Sequence, residues 1–218
     1  MTAVLSSADV RSMLLAVSQA VINNVDLLTD ADIATGDGDH GIGMQRGFEA
    51  ALEALEADGD LTIQDVFKKT GMAIMSKTGG AAGAVFGTFF LGGAGAFEGA
   101  EVLTPANFSV FLEQAKVAVS KRGGVEEGAK TMLDAVAFAE RSVSATDAKV
   151  IGGVLKAAHE GALAGVEATK HMIASTGKAR SLGERSIGHP DPGAISVSII
   201  FGAMSSYASG SELANETI

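Results

Sequence analysis

Residues 6–28 read SSADVRSMLLAVSQAVINNVDLL, and Val10, Leu14, Val17, Val21 and Leu28 fall on one face of a helix. Steps of three, four and seven do not fit the two-residue alternation of a half-buried strand, so the stretch predicts a helix. Ser6-Ser7 ahead of it supplies the hydroxyl that a helix start favours. The pattern returns at Met44, Phe48, Leu52 and Leu55, and again at Ile63, Phe67 and Ile74 behind a Thr62/Asp65 capping-box spacing. Thr104-Pro105 reads as a cap followed by proline in the first turn, and that segment stops at Gly123-Gly124. Further helical runs are expected at 128–142, 147–175 and 193–208. No alternating β-branched run lies between turn signals, so no sheet is expected. The prediction is an all-α chain, a barrel or bundle of about eight antiparallel helices, forming a single domain over 1–218.

Composition narrows the function classes. The 218 residues are 47% hydrophobic and carry 26 acidic against 16 basic side chains, a net charge of −10. Such a balance argues against a nucleic acid or an anionic membrane as partner. The absence of cysteine removes disulfides, thiolate metal sites and a cysteine nucleophile. The start, MTAVLSSADVRSMLLAV, has no basic stretch followed by an apolar one, which leads to the expectation of a cytoplasmic protein. Residues 78–97 are uncharged and long enough to span a bilayer, but neither flank carries basic or aromatic anchors. A buried core helix is expected there instead.

The 28 glycines are out of place in such a chain, because glycine costs about 1 kcal/mol relative to alanine inside a helix. They cluster at 36–47, 79–95, 123–128 and 183–193, which points to backbone brought close to another helix or to a ligand. Gly79, Gly83 and Gly87 would share one face, and from Gly87 onward helix packing is the expected reason.

The chemistry concentrates in residues 30–43, DADIATGDGDHGIG. Asp30, Asp32, Asp37 and Asp39 repel one another unless a cation neutralises them, and without one the loop is expected to be strained. Hard carboxylate oxygens suit Mg²⁺, Mn²⁺ or Ca²⁺ rather than structural zinc. An EF-hand starting at Asp30 fails, since Ala34 and Gly41 stand where ligands are required. The loop runs into a helix beginning near Gly41, whose free N–H groups and positive dipole end favour phosphate. Three aspartates with two Mg²⁺ leave about +1, against about −3 for ADP.

Other phosphate motifs do not fit. Residues 71–78, GMAIMSKT, miss a Walker A loop at Ser76 and follow a helical pattern rather than a strand. His159 and His171 lack carboxylates at metal spacing. The last cluster, Arg185, His189 and Asp191 in GERSIGHPDPGA (183–194), feeds Pro192 into a helix start.

GDGDHGIGMQRGF (36–48), TGGAAGAVFGTFFL (78–91) and GERSIGHPDPGA together resemble the L-subunit family of dihydroxyacetone kinases, the ADP-binding half of those enzymes. The resemblance covers essentially the whole chain, including KRGGVEEGAKTMLDAV (121–136). It implies a barrel of eight antiparallel helices with the nucleotide at one end. It implies Asp32, Asp37 and Asp39 as ligands of two Mg²⁺, and His40, Gly41, Ile42, Gly43, Ala81 and Ala82 along the phosphates. Gly123 and Met132 would border the adenine or ribose, and Asp191, Pro192 and Gly193 would close the pocket. The family pattern has Asn at Gly43, Ser at Ala82 and Arg just after Gly177, where this chain has Lys178, with Arg180 nearby as the other candidate.

By the same resemblance the chain is a phosphotransferase subunit with no catalytic side chain of its own. It would hold ADP or ATP and pass the terminal phosphoryl to a small ketose on a separate K subunit. A phosphohistidine-carrying M subunit or free ATP would recharge it. The alternative is a nucleotide-binding regulatory module without catalysis. The ketose, the phosphoryl donor and the oligomeric state, a homodimer included, are left open.

Overall fold

A computed structural model describes residues 2–57 and 59–210 of the chain. Ser6 caps the first helix, α1 (Ser7–Asn23): its Oγ accepts the Asp9 N–H at 3.2 Å, and Asp9 Oδ2 accepts the Ser6 N–H at 2.9 Å. The apolar face quoted above is interrupted at Asn24, which leaves helical geometry and donates its side-chain amide to the Ala20 carbonyl at 2.8 Å. The chain restarts as α2 (Val25–Thr35), so Leu28 is buried from a second helix rather than the first. Val21 and Leu28 are seven apart, and that spacing is blind to a one-residue break between them.

Seven further helices follow: α3 (His40–Glu56), α4 (Ile63–Lys77), α5 (Gly80–Gly93), α6 (Pro105–Gly123), α7 (Met132–Ala145), α8 (Ile151–Thr169) and α9 (Pro192–Ser209). Two 3₁₀ segments, Ala94–Phe97 and Lys178–Ser186, lie between them. Thr62 caps α4 by accepting the Asp65 N–H, and its hydroxyl binds the Asp65 carboxylate. The expected boundaries shift at two places. α7 starts at 132, not 128, because Thr131 and Asp134 form a capping box there. α8 starts at 151, not 147, and ends at 169, so His171 lies beyond it. Its first amides, Ile151 and Gly152, donate to the carbonyls of Ala3 and Thr2 at 3.0 and 3.2 Å.

The expectation of no sheet needs one small correction. β1 (Leu5–Ser6) pairs antiparallel with β2 (Val102–Leu103), two residues each, too short to show any periodicity. Otherwise the fold is all-α. Helices α1, α3, α4, α5, α6, α7, α8 and α9 each touch the next, and α9 returns to α1, closing a barrel of eight antiparallel helices. The ninth, α2, packs across α3 and α9 at one end. Thr2 Oγ1 donates to the Ala208 carbonyl at 2.8 Å, joining the first residues to the last turns of α9.

Phenylalanine fills the middle. Phe111 is fully buried, with ring centroids 4.8 Å from Phe67, 5.4 Å from Phe89 and Phe97, and 5.7 Å from Phe108. The segment Gly80–Phe97 is long and apolar enough to cross a membrane, but Phe86, Phe89, Phe90, Ala94 and Phe97 point into this core. Glycine brings α4 and α5 together: a methyl on Gly87 would lie 2.6 Å from Met75 Cβ and 2.8 Å from the Gly71 carbonyl. The near-Walker segment is thus the last two turns of α4, and its Gly71 serves packing against α5.

Candidate functional site

The last turn of α2 places Asp32, and the turn after it places Asp37 and Asp39. Gly36 makes this possible, since a Cβ there would lie 2.3 Å from Asp32 Oδ1. Gly38 follows with φ 76°, a conformation glycine adopts without strain. One oxygen from each of Asp32, Asp37 and Asp39 comes within 4.8 Å of the others. Asp32 is buried and its Oδ2 accepts the His40 N–H at 3.1 Å, which ties the trio to the start of α3. Three hard oxygen donors on one turn fit Mg²⁺. Asp30 takes no part in the trio.

Part of the countercharge comes from far along the chain. Lys178 Nζ lies 2.9 Å from Asp39 Oδ2 and also pairs with Asp37. That ammonium holds the Asp37 carboxyl below its usual range, and the two carboxylates push the Lys178 pKa up in turn. This pairing offsets part of the charge that the three carboxylates bring together.

Beside the aspartates stands the N-terminus of α5. Gly79 and Gly80 both have positive φ, no side chain caps the helix, and the first intrahelical bond is Gly83 N–H to Gly79 O at 3.1 Å. The N–H groups of Gly80, Ala81 and Ala82 therefore have no acceptor in the helix. An uncapped helix start of this kind attracts anions. Arg46 Nη2 donates to the Thr78 carbonyl at 3.2 Å and steadies the turn before it.

His40 points inward. Its Nε2 is 2.8 Å from Ser196 Oγ, and Ser196 donates its own proton to the Pro192 carbonyl at 3.1 Å. Nε2 must then be the donor, and the ring joins α3 to α9. Burial lowers the His40 pKa, against the opposing pull of Asp32 and Asp39. A neutral imidazole follows.

These groups surround a cavity of about 390 Å³, within the range of small-molecule sites. Of the residues expected from sequence, Asp32, Asp39, His40, Gly43, Ala81, Ala82, Gly123, Met132, Lys178, Asp191, Pro192 and Gly193 line it. Asp37 joins through the carboxylate trio. Gly41, Ile42 and Arg180 do not line it: Gly41 is pressed against α2, where a Cβ would lie 2.2 Å from Thr29 Oγ1, and Ile42 and Arg180 are exposed. The Gly43 N–H is committed to the Asp39 carbonyl at 2.9 Å. Of the Arg185, His189 and Asp191 cluster, only Asp191 reaches the cavity.

Asp191 caps α9 by accepting the Ala194 N–H at 2.8 Å, and burial pushes its carboxyl up to about 7. Its nearest cation by charge is Lys130, which sequence reasoning passed over. So were Thr35, Arg46 and Thr176. Thr35 and Arg46 lie within or beside the aspartate-rich stretch and Thr176 directly before Gly177-Lys178, but none has a charge or spacing pattern of its own to mark it. Lys130 directly precedes the Thr131/Asp134 capping box, the one readable signal near it.

Comparison with known proteins gives the same outline. The DAK2 domain pattern matches residues 34–206. The ADP-binding subunit DhaL of PEP-dependent dihydroxyacetone kinase 1 from Listeria innocua is 38% identical over 186 residues, 85% of this chain and 89% of that one. The corresponding DhaL subunit from Escherichia coli is 40% identical over 174 residues, 79% and 83% of the two chains. Among solved structures, the native dihydroxyacetone kinase of C. freundii aligns with a TM-score of 0.68 and 25% identity. That alignment covers 91% of this chain and 34% of the kinase, so the chain spans about a third of the longer enzyme.

Proposed function

The chain belongs to the DAK2 domain family, and on that footing we propose that it is the ADP- and ATP-binding subunit of a dihydroxyacetone-type kinase. The reading is of one cytoplasmic domain, over 1–218, that passes the terminal phosphoryl of its nucleotide to a small ketose on a separate K subunit. An M subunit carrying phosphohistidine, or free ATP, would restore the charge. The observation that carries it is the cavity, with a carboxylate trio and an uncapped helix N-terminus side by side.

In this reading Asp32, Asp37 and Asp39 hold two Mg²⁺, which when bound would neutralise charge on the phosphates. The free N–H groups of Ala81 and Ala82 donate to phosphate oxygens, and the Gly43 backbone leaves room beside them. Lys178 exchanges its carboxylate partners for phosphate. Gly123, Met132, Asp191, Pro192 and Gly193 enclose the nucleoside. No side chain acts as nucleophile or base, so the chain's part is positioning and charge.

One feature favours a regulatory module as second reading: Gly43 and Ala82 offer no side-chain hydrogen bond to a phosphate. Phosphoryl transfer to a small ketose, with a K subunit supplied, separates the two, and calorimetric titration with ADP tests the nucleotide site that both share. Binding in Mg²⁺ that disappears in EDTA is expected. No binding in either condition would overturn the nucleotide site on which both readings rest.

A further inference from the structure

Lys130 is the one non-glycine residue with positive φ among the described residues, at 62°. Backbone of that kind is disfavoured for any residue with a Cβ, and glycine would adopt it freely. The residue is also only 3% exposed, which strips its ammonium of most of its hydration. Both costs would vanish with a glycine at this position. The side chain must therefore supply something that glycine cannot.

It supplies two hydrogen bonds to segments distant in sequence. Lys130 Nζ donates to the Thr169 carbonyl at 2.5 Å, at the end of α8, and to the His189 carbonyl at 2.6 Å, in the loop before α9. Around it the same two segments are tied again. The Asp191 N–H donates to Thr169 Oγ1 at 3.0 Å, and the Gly188 N–H to the Lys170 carbonyl at 2.7 Å. Ala129, one residue earlier, accepts the Ser175 N–H at 3.2 Å. The ammonium thus lies where three chain segments meet, and two of them, 130–132 and 191–193, line one side of the cavity. There Met132 and the turn at Asp191 and Gly193 face each other closely: a methyl on Gly193 would lie 3.2 Å from Met132 Cβ.

The ammonium's hydrogen bonds go to two neutral carbonyls, a poor source of stability for a buried charge, while Asp191 and Asp134 act on it through their own charge. We propose that Lys130 is a positioning residue for the nucleoside. Its ammonium clamps the end of α8 to the loop before α9, so that Met132 and residues 191–193 present one fixed wall to base and ribose. The diphosphate end of the site, built on the aspartate turn and α5, works without it. This rests on the nucleotide reading of the cavity given above.

The test compares Mg²⁺-ADP with Mg²⁺-pyrophosphate, by calorimetry and thermal melting, in wild type, Lys130→Met and Thr169→Val. Lys130→Met keeps the apolar stem and removes the ammonium, whereas Thr169→Val frees the Asp191 amide without touching Lys130. Both variants should bind Mg²⁺-ADP about tenfold or more weakly, with pyrophosphate affinity unchanged. Equal losses for both ligands, or unchanged ADP affinity with a lowered melting point, would reduce Lys130 to a structural residue and overturn the clamp. So would two variants that both fail to fold. Pyrophosphate that does not bind the wild type would overturn the two-ended site. A wild type that binds neither ligand would instead overturn the nucleotide reading beneath it.

Discussion

Asp39→Ala is expected to weaken Mg²⁺-dependent ADP binding by at least about 100-fold while leaving the helical fold and its melting point in place. The carboxylate is one of three that converge within 4.8 Å, so its loss would leave the proposed divalent ion with only two of these protein oxygens. Its side chain is 73% exposed and its backbone, not its carboxylate, accepts the first α3 hydrogen bond. Nothing in the core depends on it. The same substitution also takes away one of the two anions that hold Lys178, so both partners of a bound phosphate would be misplaced together. Asp37→Ala should behave alike. Calorimetry with ADP, and circular dichroism on the same samples, reads both halves of the prediction. Unchanged affinity in a folded variant would remove the aspartates from the site.

Phe111→Ala should do the opposite, costing about 3–5 kcal/mol of stability with no direct effect on the carboxylates. Phe111 is fully buried among Phe67, Phe89, Phe97 and Phe108, drawn from four different helical segments, so the space it leaves cannot be refilled by one neighbour. Each ring pair adds roughly 0.5–1.5 kcal/mol beyond buried area, which places the expected value toward the upper end of that range. With domain stabilities of about 5–15 kcal/mol, the change should be plain in a urea titration. A shift under about 1 kcal/mol would mean that the aromatic cluster repacks freely.

What the sequence makes legible here is whatever repeats or caps. The apolar faces of α1, α3 and α4 can be read from spacing, and Ser6, Thr62 and Thr104 mark three starts by hydroxyls placed before the helix. The Asn24 break escapes because the stripe from Val21 to Leu28 continues across it. Thr131 and Asp134 could have set the α7 start, since they have the same spacing as Thr62 and Asp65. The carboxylate turn is visible because its aspartates are local to one segment. The Lys178 contact to it, from 141 residues away, has no local signature. Lys130 is hidden for a different reason: the strain that singles it out is a backbone angle, and a sequence does not display angles. The paired strands β1 and β2 are simply too short for any period to show.

The hydrogen bond from Thr2 to the Ala208 carbonyl has a topological consequence. When the first and last turns of a ring are neighbours, the order in which the chain visits its helices carries little of the fold's information. The contacts between adjacent helices hold the rest, and they survive a new starting point. A circularly permuted chain, opened at exposed Glu101 and joined from Gly210 to Thr2 by a short flexible linker, should therefore melt close to the natural one. A permutant that failed to fold would show that the barrel depends on where its threading begins.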